Sequence, residues 1–230
     1  MKSALLLLLS TVALTQSAST NTPKEDAAHQ HTSKKIKFQL PKNFQHEAKI
    51  FKLVQNGEKF DLQQEDVSSM IKVSSDLNMQ FSGLGVRTTQ GFQYNEATAT
   101  NYTAHKNLVF KRDTMKCKSY DELLQNGKNV ASLIDEMNDP FNNPEISYEG
   151  FLPADWDKEE KYHIFTRKEF GKKVFQLYYS PKTSQLRYSV MIQDNGKYII
   201  DMGASKVKEQ KLTARDFQIK ECSYKNVFLQ

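Results

Sequence analysis

The stretch Val174-Phe175-Gln176-Leu177-Tyr178-Tyr179-Ser180-Pro181-Lys182-Thr183-Ser184-Gln185-Leu186-Arg187-Tyr188-Ser189-Val190-Met191-Ile192-Gln193-Asp194-Asn195-Gly196-Lys197-Tyr198-Ile199-Ile200-Asp201-Met202 decides the fold class. Ser180-Pro181-Lys182-Thr183 places proline where a type I turn wants its preset φ, and beyond it Leu186, Tyr188, Val190 and Ile192 alternate with Arg187, Ser189 and Met191. Asp194-Asn195-Gly196 is the strongest hairpin cue in the chain. Upstream, Tyr162-His163-Ile164-Phe165-Thr166 enters the same run through Glu169-Phe170-Gly171. Together these signals predict an antiparallel meander.

Working outward toward the N-terminus, Ser119 and Glu122 form a capping box, and Asn138-Asp139-Pro140 is a stop signal, so the spacing predicts a helix over Tyr120–Met137. Leu123, Gly127, Val130, Ile134 and Met137 recur at helical spacing, with Leu124, Ala131 and Leu133 widening the apolar stripe. Before the helix, short strands are expected around Ile36–Leu40, Ala48–Val54, Asn78–Val86, Gly91–Tyr94 and Asn107–Arg112, with Asn56-Gly57 as a turn. Gln63–Ser75 reads equally as a helical turn or a loop. After the meander, Phe217-Gln218-Ile219 is expected as a last strand leading to Cys222.

Lys2, the apolar run Ala4–Leu9 with Val12–Leu14, and the small residues Ser17-Ala18-Ser19 have the tripartite layout of a secretory signal peptide, so residues 1–19 are read as a leader. Localisation outside the cell or in a secretory lumen follows. The mature chain is then expected to start with a polar arm over 20–35 and to form one domain over 36–230, about 190 residues, enough for a substantial core. No segment beyond the leader is apolar for long enough to span a bilayer as a helix. In an oxidising compartment the two cysteines, Cys117 and Cys222, are most simply a disulfide, closing a loop worth ~4–5 kcal/mol in chain entropy. Asn101-Tyr102-Thr103 is the N-glycosylation sequon, which places Asn101 at an exposed position if it is used.

The formal net charge is +5, and the lysines are interspersed with acidic residues rather than gathered in a run, which argues against a nucleic-acid partner. No nucleophile elbow, zinc-binding helix motif or phosphate-cradling glycine loop is present, so no enzyme activity and no cofactor or metal are expected. Ser82-Gly83-Leu84-Gly85 reads as a strand bend rather than half of a nucleotide motif. Asp155-Trp156-Asp157 reads as a turn with a buried ring, and the His29-x-His31 pair lacks further ligands.

The chain holds 14 Phe and 10 Tyr, so a sheet carrying them needs cover, and the helix is the piece on offer. Such a sheet either fills completely with side chains or keeps an apolar cavity. The two meanders around a central helix, and the segment Leu177–Tyr188 with its aromatic strand end, turn and Arg187, resemble the half-barrel group of LolA-type lipoprotein carriers and ependymin-related proteins. Ser180 stands where that group usually has Asp, and two cysteines replace several. The resemblance implies an open half-barrel that holds acyl chains without chemistry.

The expected fold is therefore α+β, mostly antiparallel β: a curved sheet or half-barrel with the amphipathic helix packed on its concave face. The expected function is a secreted binder of a lipid or other apolar small molecule. Leu123, Val130, Ile134 and Met137 would line the lid, and Phe175, Leu177, Tyr188, Val190 and Tyr198 the wall. The competing expectation is a structural or protein-interaction component with a filled core and exposed sheet edges.

Overall fold

The computed structural model describes residues 37–121 and 129–225. The leader over 1–19, the arm over 20–35 with His29 and His31, and Glu122, Leu123, Leu124 and Gly127 of the expected helix lie outside the described residues.

Every hairpin the turn chemistry marks is formed. The strands are β1 (Asn43–Asn56), β2 (Lys59–Ser74), β3 (Met79–Thr88), β4 (Gly91–Asn101), β5 (Lys106–Lys111), β6 (Lys116–Asp121), β7 (Ser147–Ala154), β8 (Asp157–Glu169), β9 (Lys172–Ser180), β10 (Gln185–Gln193) and β11 (Gly196–Asp201). They form one eleven-stranded sheet in the order β6-β5-β4-β3-β2-β1-β11-β10-β9-β8-β7. Two sequential meanders, β1–β6 and β7–β11, are joined where β1 pairs antiparallel with β11, Ile50 opposite Ile200. The sheet is not closed, and β6 and β7 are its two edges.

Gln63 to Ser74 is strand rather than helical turn or loop, and Ser75 opens the turn that follows. The strand segment belongs to β2, whose Met70, Ile71 and Val73 are buried and whose ladder runs to both β1 and β3. Residues 37–40 form no strand; they run across the helix end and bury Phe38. The glycines of Ser82–Gly85 mark a bend, as expected. The register of β3 on β4 shifts between Leu84 and Gly85, and a Cβ on Gly85 would collide with the Gln93 carbonyl oxygen.

The helix is shorter than its capping signature suggests. Ser119 and Tyr120 lie in β6, paired with Leu108 and Asn107 of β5, and the described helix α1 covers Val130–Asn138. A cap satisfies one or two amides, whereas the ladder with β5 occupies the whole segment, so the sheet overrides the local signal. The expected strand at Phe217–Ile219 is also absent. The chain there makes 3-10 turns at Ala214–Phe217 and Lys220–Lys225, and these still deliver Cys222 to Cys117, with Cα atoms 5.8 Å apart.

Apolar side chains collect on both faces. On the face that carries α1, one cluster gathers Phe44, Ile50, Ile71, Val73, Phe165, Phe175, Leu177, Tyr179 and Ile200 with Val130, Leu133 and Ile134 of the helix. The reverse face carries two clusters. One lies over β2–β6 beneath Phe217, Ile219 and the disulfide, the other over β8–β11 around Tyr162, Tyr178, Tyr188 and Trp156.

Candidate functional site

Helix α1 is pinned at both ends. Asn129 caps it: its Oδ1 accepts from the Ser132 amide at 2.9 Å, while Ser132 Oγ accepts from the Asn129 amide at 3.0 Å. The Val130 amide donates to Asn78 Oδ1 at 3.0 Å, which ties the start of the helix to the turn between β2 and β3. At the other end the Tyr179 hydroxyl donates to the Met137 carbonyl at 2.8 Å, and the Asn138 side chain pairs with both backbone groups of Leu40. Burial pushes the Tyr179 phenol well above its ordinary pKa, so it stays a donor at any physiological pH.

These anchors all lie at one end of the strands, the end of the β2–β3 and β9–β10 turns. There Phe38 fills the space beside the helix, its ring 4.1 Å from that of Tyr179 and edge-on to Phe165 at 6.1 Å. Around the same cluster, Val67, Leu84, Met137, Ile146, Val174 and Tyr198 are only half-buried. Tyr198 lies two residues from Gly196 and Val174 two from Lys172, so these half-covered groups extend to the opposite end, that of the β8–β9 and β10–β11 turns.

The expected wall and lid residues divide between the two faces. Val130, Ile134, Phe175 and Leu177 are buried together in the helix-side cluster, with Met137 and Tyr198 packed on its margin. Tyr188 and Val190 are not among them; they lie on the reverse face with Tyr178 and Ile199. The reason is a bulge. Leu186 pairs with Tyr179 but Tyr188 pairs with Tyr178, so Arg187 is the extra residue and the alternation changes face there. Leu186 is thus on the helix side and Tyr188 is not.

Two hydroxyls on the helix-side face have no hydrogen-bond partner although their side chains are completely buried. Ser69 sits opposite Ala48, and Ser189 sits opposite Ile200 and Leu177. His46 Nε2, on the face of Ala48, is likewise buried and unpartnered. Burial depresses the pKa of this imidazole, against the Met202 carbonyl and the Glu47 charge, both of which favour the protonated ring. Buried polar atoms without partners cost roughly 1–3 kcal/mol each.

Beside the margin lies an aromatic group that the sequence reading missed. Tyr148 and Phe151 of edge strand β7 and Phe141 ahead of it are each close to half exposed. Phe141 packs against Tyr148 at 5.0 Å and Phe165 at 4.9 Å, and Phe151 stacks on His163 at 4.7 Å. The Tyr148 hydroxyl and His163 Nδ1 share a hydrogen bond of 3.0 Å, and burial lowers the pKa of His163. The residues were visible as Tyr148-Glu149-Gly150-Phe151-Leu152, but two bulges, at Tyr148/Gly150 and Pro153/Ala154, break the alternation that would have marked a strand.

At the far end of α1 a cleft of about 460 Å³ is lined by Asp135, Glu136, Asp139, Asn142, Asn143, Pro144 and Glu145. The residues that line it are mostly polar or acidic types, unlike those of the expected cavity. Among the described residues no three His, Cys, Asp or Glu side chains are grouped to hold a metal ion. Asn101 closes β4 half-buried, its Oδ1 accepting from the Ala104 amide at 3.0 Å. Asp155 and Trp156 form the expected turn between β7 and β8, with the indole 5.3 Å from the Tyr178 ring.

No family model matches the chain, and no curated protein matches it. Among solved structures it is similar to an uncharacterized conserved protein from Thermus thermophilus, with a TM-score of 0.43 and 9% identity over 76% of this chain and 83% of the other. It is also similar to a LolA superfamily protein from Nitrosomonas europaea, with a TM-score of 0.36 and 10% identity over 80% of this chain and 93% of the other.

Proposed function

We propose that this chain is a secreted, non-catalytic binder of a hydrophobic ligand, held on the helix-side face of a half-barrel whose concave side α1 roofs at one end. The observation that carries the reading is the incomplete cover that the described residues give that face. A nine-residue helix covers one end of it, and six hydrophobic side chains on its margin stay half-buried. Half-covered apolar groups around a filled centre are what a guest molecule would complete, at ~25 cal/mol per Å² of apolar surface removed from water. The bridge between Cys117 and Cys222 suits an oxidising compartment, and no helix among the described residues is long and apolar enough to cross a membrane.

The test is extraction of the natively purified protein followed by lipid mass spectrometry, with titration of the emptied protein by a fluorescent fatty acid. Stoichiometric apolar ligand, and probe binding weakened by Leu84→Gln and Tyr198→Gln but not by the reverse-face change Ile192→Gln, are the expected results. A ligand-free protein that gives no probe signal overturns the reading. Concentration-dependent assembly with no ligand would instead favour a protein-interaction role.

A further inference from the structure

The turn between β8 and β9 contains only Phe170 and Gly171, because Glu169 pairs with Lys172. Both turn residues have positive φ, 50° for Phe170 and 76° for Gly171. Two-residue hairpins of this kind favour Asn, Asp or Gly at the first position, since a larger side chain in the left-handed region strains the backbone against its own Cβ. Phe170 accepts that strain and gains nothing from the molecule in return: it is 100% exposed, whereas the other exposed large hydrophobics range from 43% to 62%. A fully hydrated phenyl ring on a strained apex is stabilised when an apolar phase outside the protein takes it up.

The chemistry at the base of the turn identifies that phase. Lys168, Lys172 and Lys173 are all exposed. Lys173 is paired with Glu149 at 2.6 Å, and Glu169 and Glu145 are engaged by Arg167 at 3.2 and 3.9 Å. Lys172 stands outside those pairs, and Lys168 makes no ion pair among the described residues although its charge also acts on Glu149. An apolar tip with ammonium groups one residue or two behind it matches an anionic bilayer in depth, ring toward the acyl boundary and lysines at the phosphates. A protein pocket for a phenyl ring would call for no such collar. The tip also lies at the end of the sheet toward which the half-covered margin around Val174 and Tyr198 extends, so docking there brings that margin to the lipid.

We propose that the Phe170–Gly171 hairpin is a membrane-docking tip that seats the protein on anionic bilayers, a role that stands independently of whether the helix-side face carries a ligand. The test is cosedimentation of wild-type chain with vesicles of equal parts phosphatidylcholine and phosphatidylglycerol, compared with pure phosphatidylcholine. The wild type is expected to partition strongly to the first and weakly to the second. Phe170→Ala should weaken partitioning about tenfold or more, and Lys172→Glu roughly fivefold or more. Phe170→Asn should weaken it as Phe170→Ala does and also raise the melting temperature, because Asn tolerates the positive φ. Absence of wild-type binding to the anionic vesicles, or equal binding by wild type and Phe170→Ala, overturns the proposal. Neither outcome touches the ligand extraction, which reads the groove alone.

Discussion

The two apolar clusters on the reverse face of the sheet solve the same problem in different ways. Over β2–β6, Phe81, Leu108 and Phe110 are fully buried because the last described residues lie across them, Phe217, Ile219 and Cys222 each at 0% exposure. Over β8–β11 no such strap is present among the residues of the cluster. Tyr162, Tyr178, Tyr188 and Trp156 cover one another, with ring centroids 5.3–6.4 Å apart in tilted and edge-on contacts. The first cluster depends on a covalent staple between residues 105 apart, the second on local aromatic packing between neighbouring strands. Long-range cover is strong only while its closure lasts; local cover needs none.

Breaking the bridge should therefore divide the molecule, and this is the largest effect expected. Cys117→Ser and Cys222→Ser should each cost about 4–5 kcal/mol, equally, with the double variant no worse. Amide exchange should rise across β4–β6 while β8–β10 stay protected. Unequal and additive losses, or a uniform rise over all strands, would contradict the division. Phe217→Ala is the next test, since it removes the strap's ring and leaves the bridge. A fully buried Phe at that position predicts a loss of about 3–4 kcal/mol, again reported by β3–β6. A loss below about 1 kcal/mol would mean that the strap rests on the sheet without sealing it.

The second cluster has a polar anchor that can be removed by one atom. The Tyr162 hydroxyl lies 2.7 Å from Asp157 Oδ2 and 2.9 Å from Glu160 Oε2, so its single proton serves two carboxylates. Burial, reinforced by both hydrogen bonds, raises the Tyr162 pKa far above its ordinary value and keeps the proton in place. Tyr162→Phe should cost about 2 kcal/mol, a hydrogen bond to a charged group, while leaving the ring packing intact. The loss should appear in β7–β10 and not in β4–β6; the reverse pattern would show that the two clusters are coupled through the sheet.

The same contrast explains what could be read in the sequence. Hairpins of the second meander were legible because Ser180–Thr183 and Asp194–Gly196 state their turns locally, and the β1–β2 hairpin was legible at Asn56-Gly57. Pairing of Cys117 with Cys222 was legible from compartment and number. What depended on distant partners was not. Ser119 and Glu122 spell a helix start, yet Ser119 belongs to a strand because β5 offers a ladder, and the cap actually used is Asn129 with Ser132. The face of Tyr188 and Val190 was lost to a single extra residue at Arg187, a bulge with no local signature. Edge strand β7 was missed because Gly150 and Pro153 interrupt its alternation, and with it went the exposed aromatics.

Acid should act on the strands that carry the second cluster, through their opposite face, before it acts on those of the first, with the smallest effect of the four. His163 on β8 lies between Tyr162 and Ile164 of the aromatic cluster and is itself buried on the other face, against Phe38, Phe151 and Tyr148. Burial holds its pKa below the ordinary histidine value of 6.5, whereas in the unfolded chain it titrates near that value. The unfolded state then binds the proton more readily, so the contribution of His163 to stability is present above the unfolded pKa and is lost as pH falls through the depressed folded one. Between about pH 7 and about pH 5, exchange protection should fall in β7–β9 while the stapled strands β4–β6 hold. His163→Gln retains a side chain able to bond the Tyr148 hydroxyl but removes the titration, so its melting temperature should depend less steeply on pH over that range. An unchanged slope would assign the acid response to the other buried imidazole, His46 on the central strand β1, and acid would then loosen the join between the two meanders rather than one side of it.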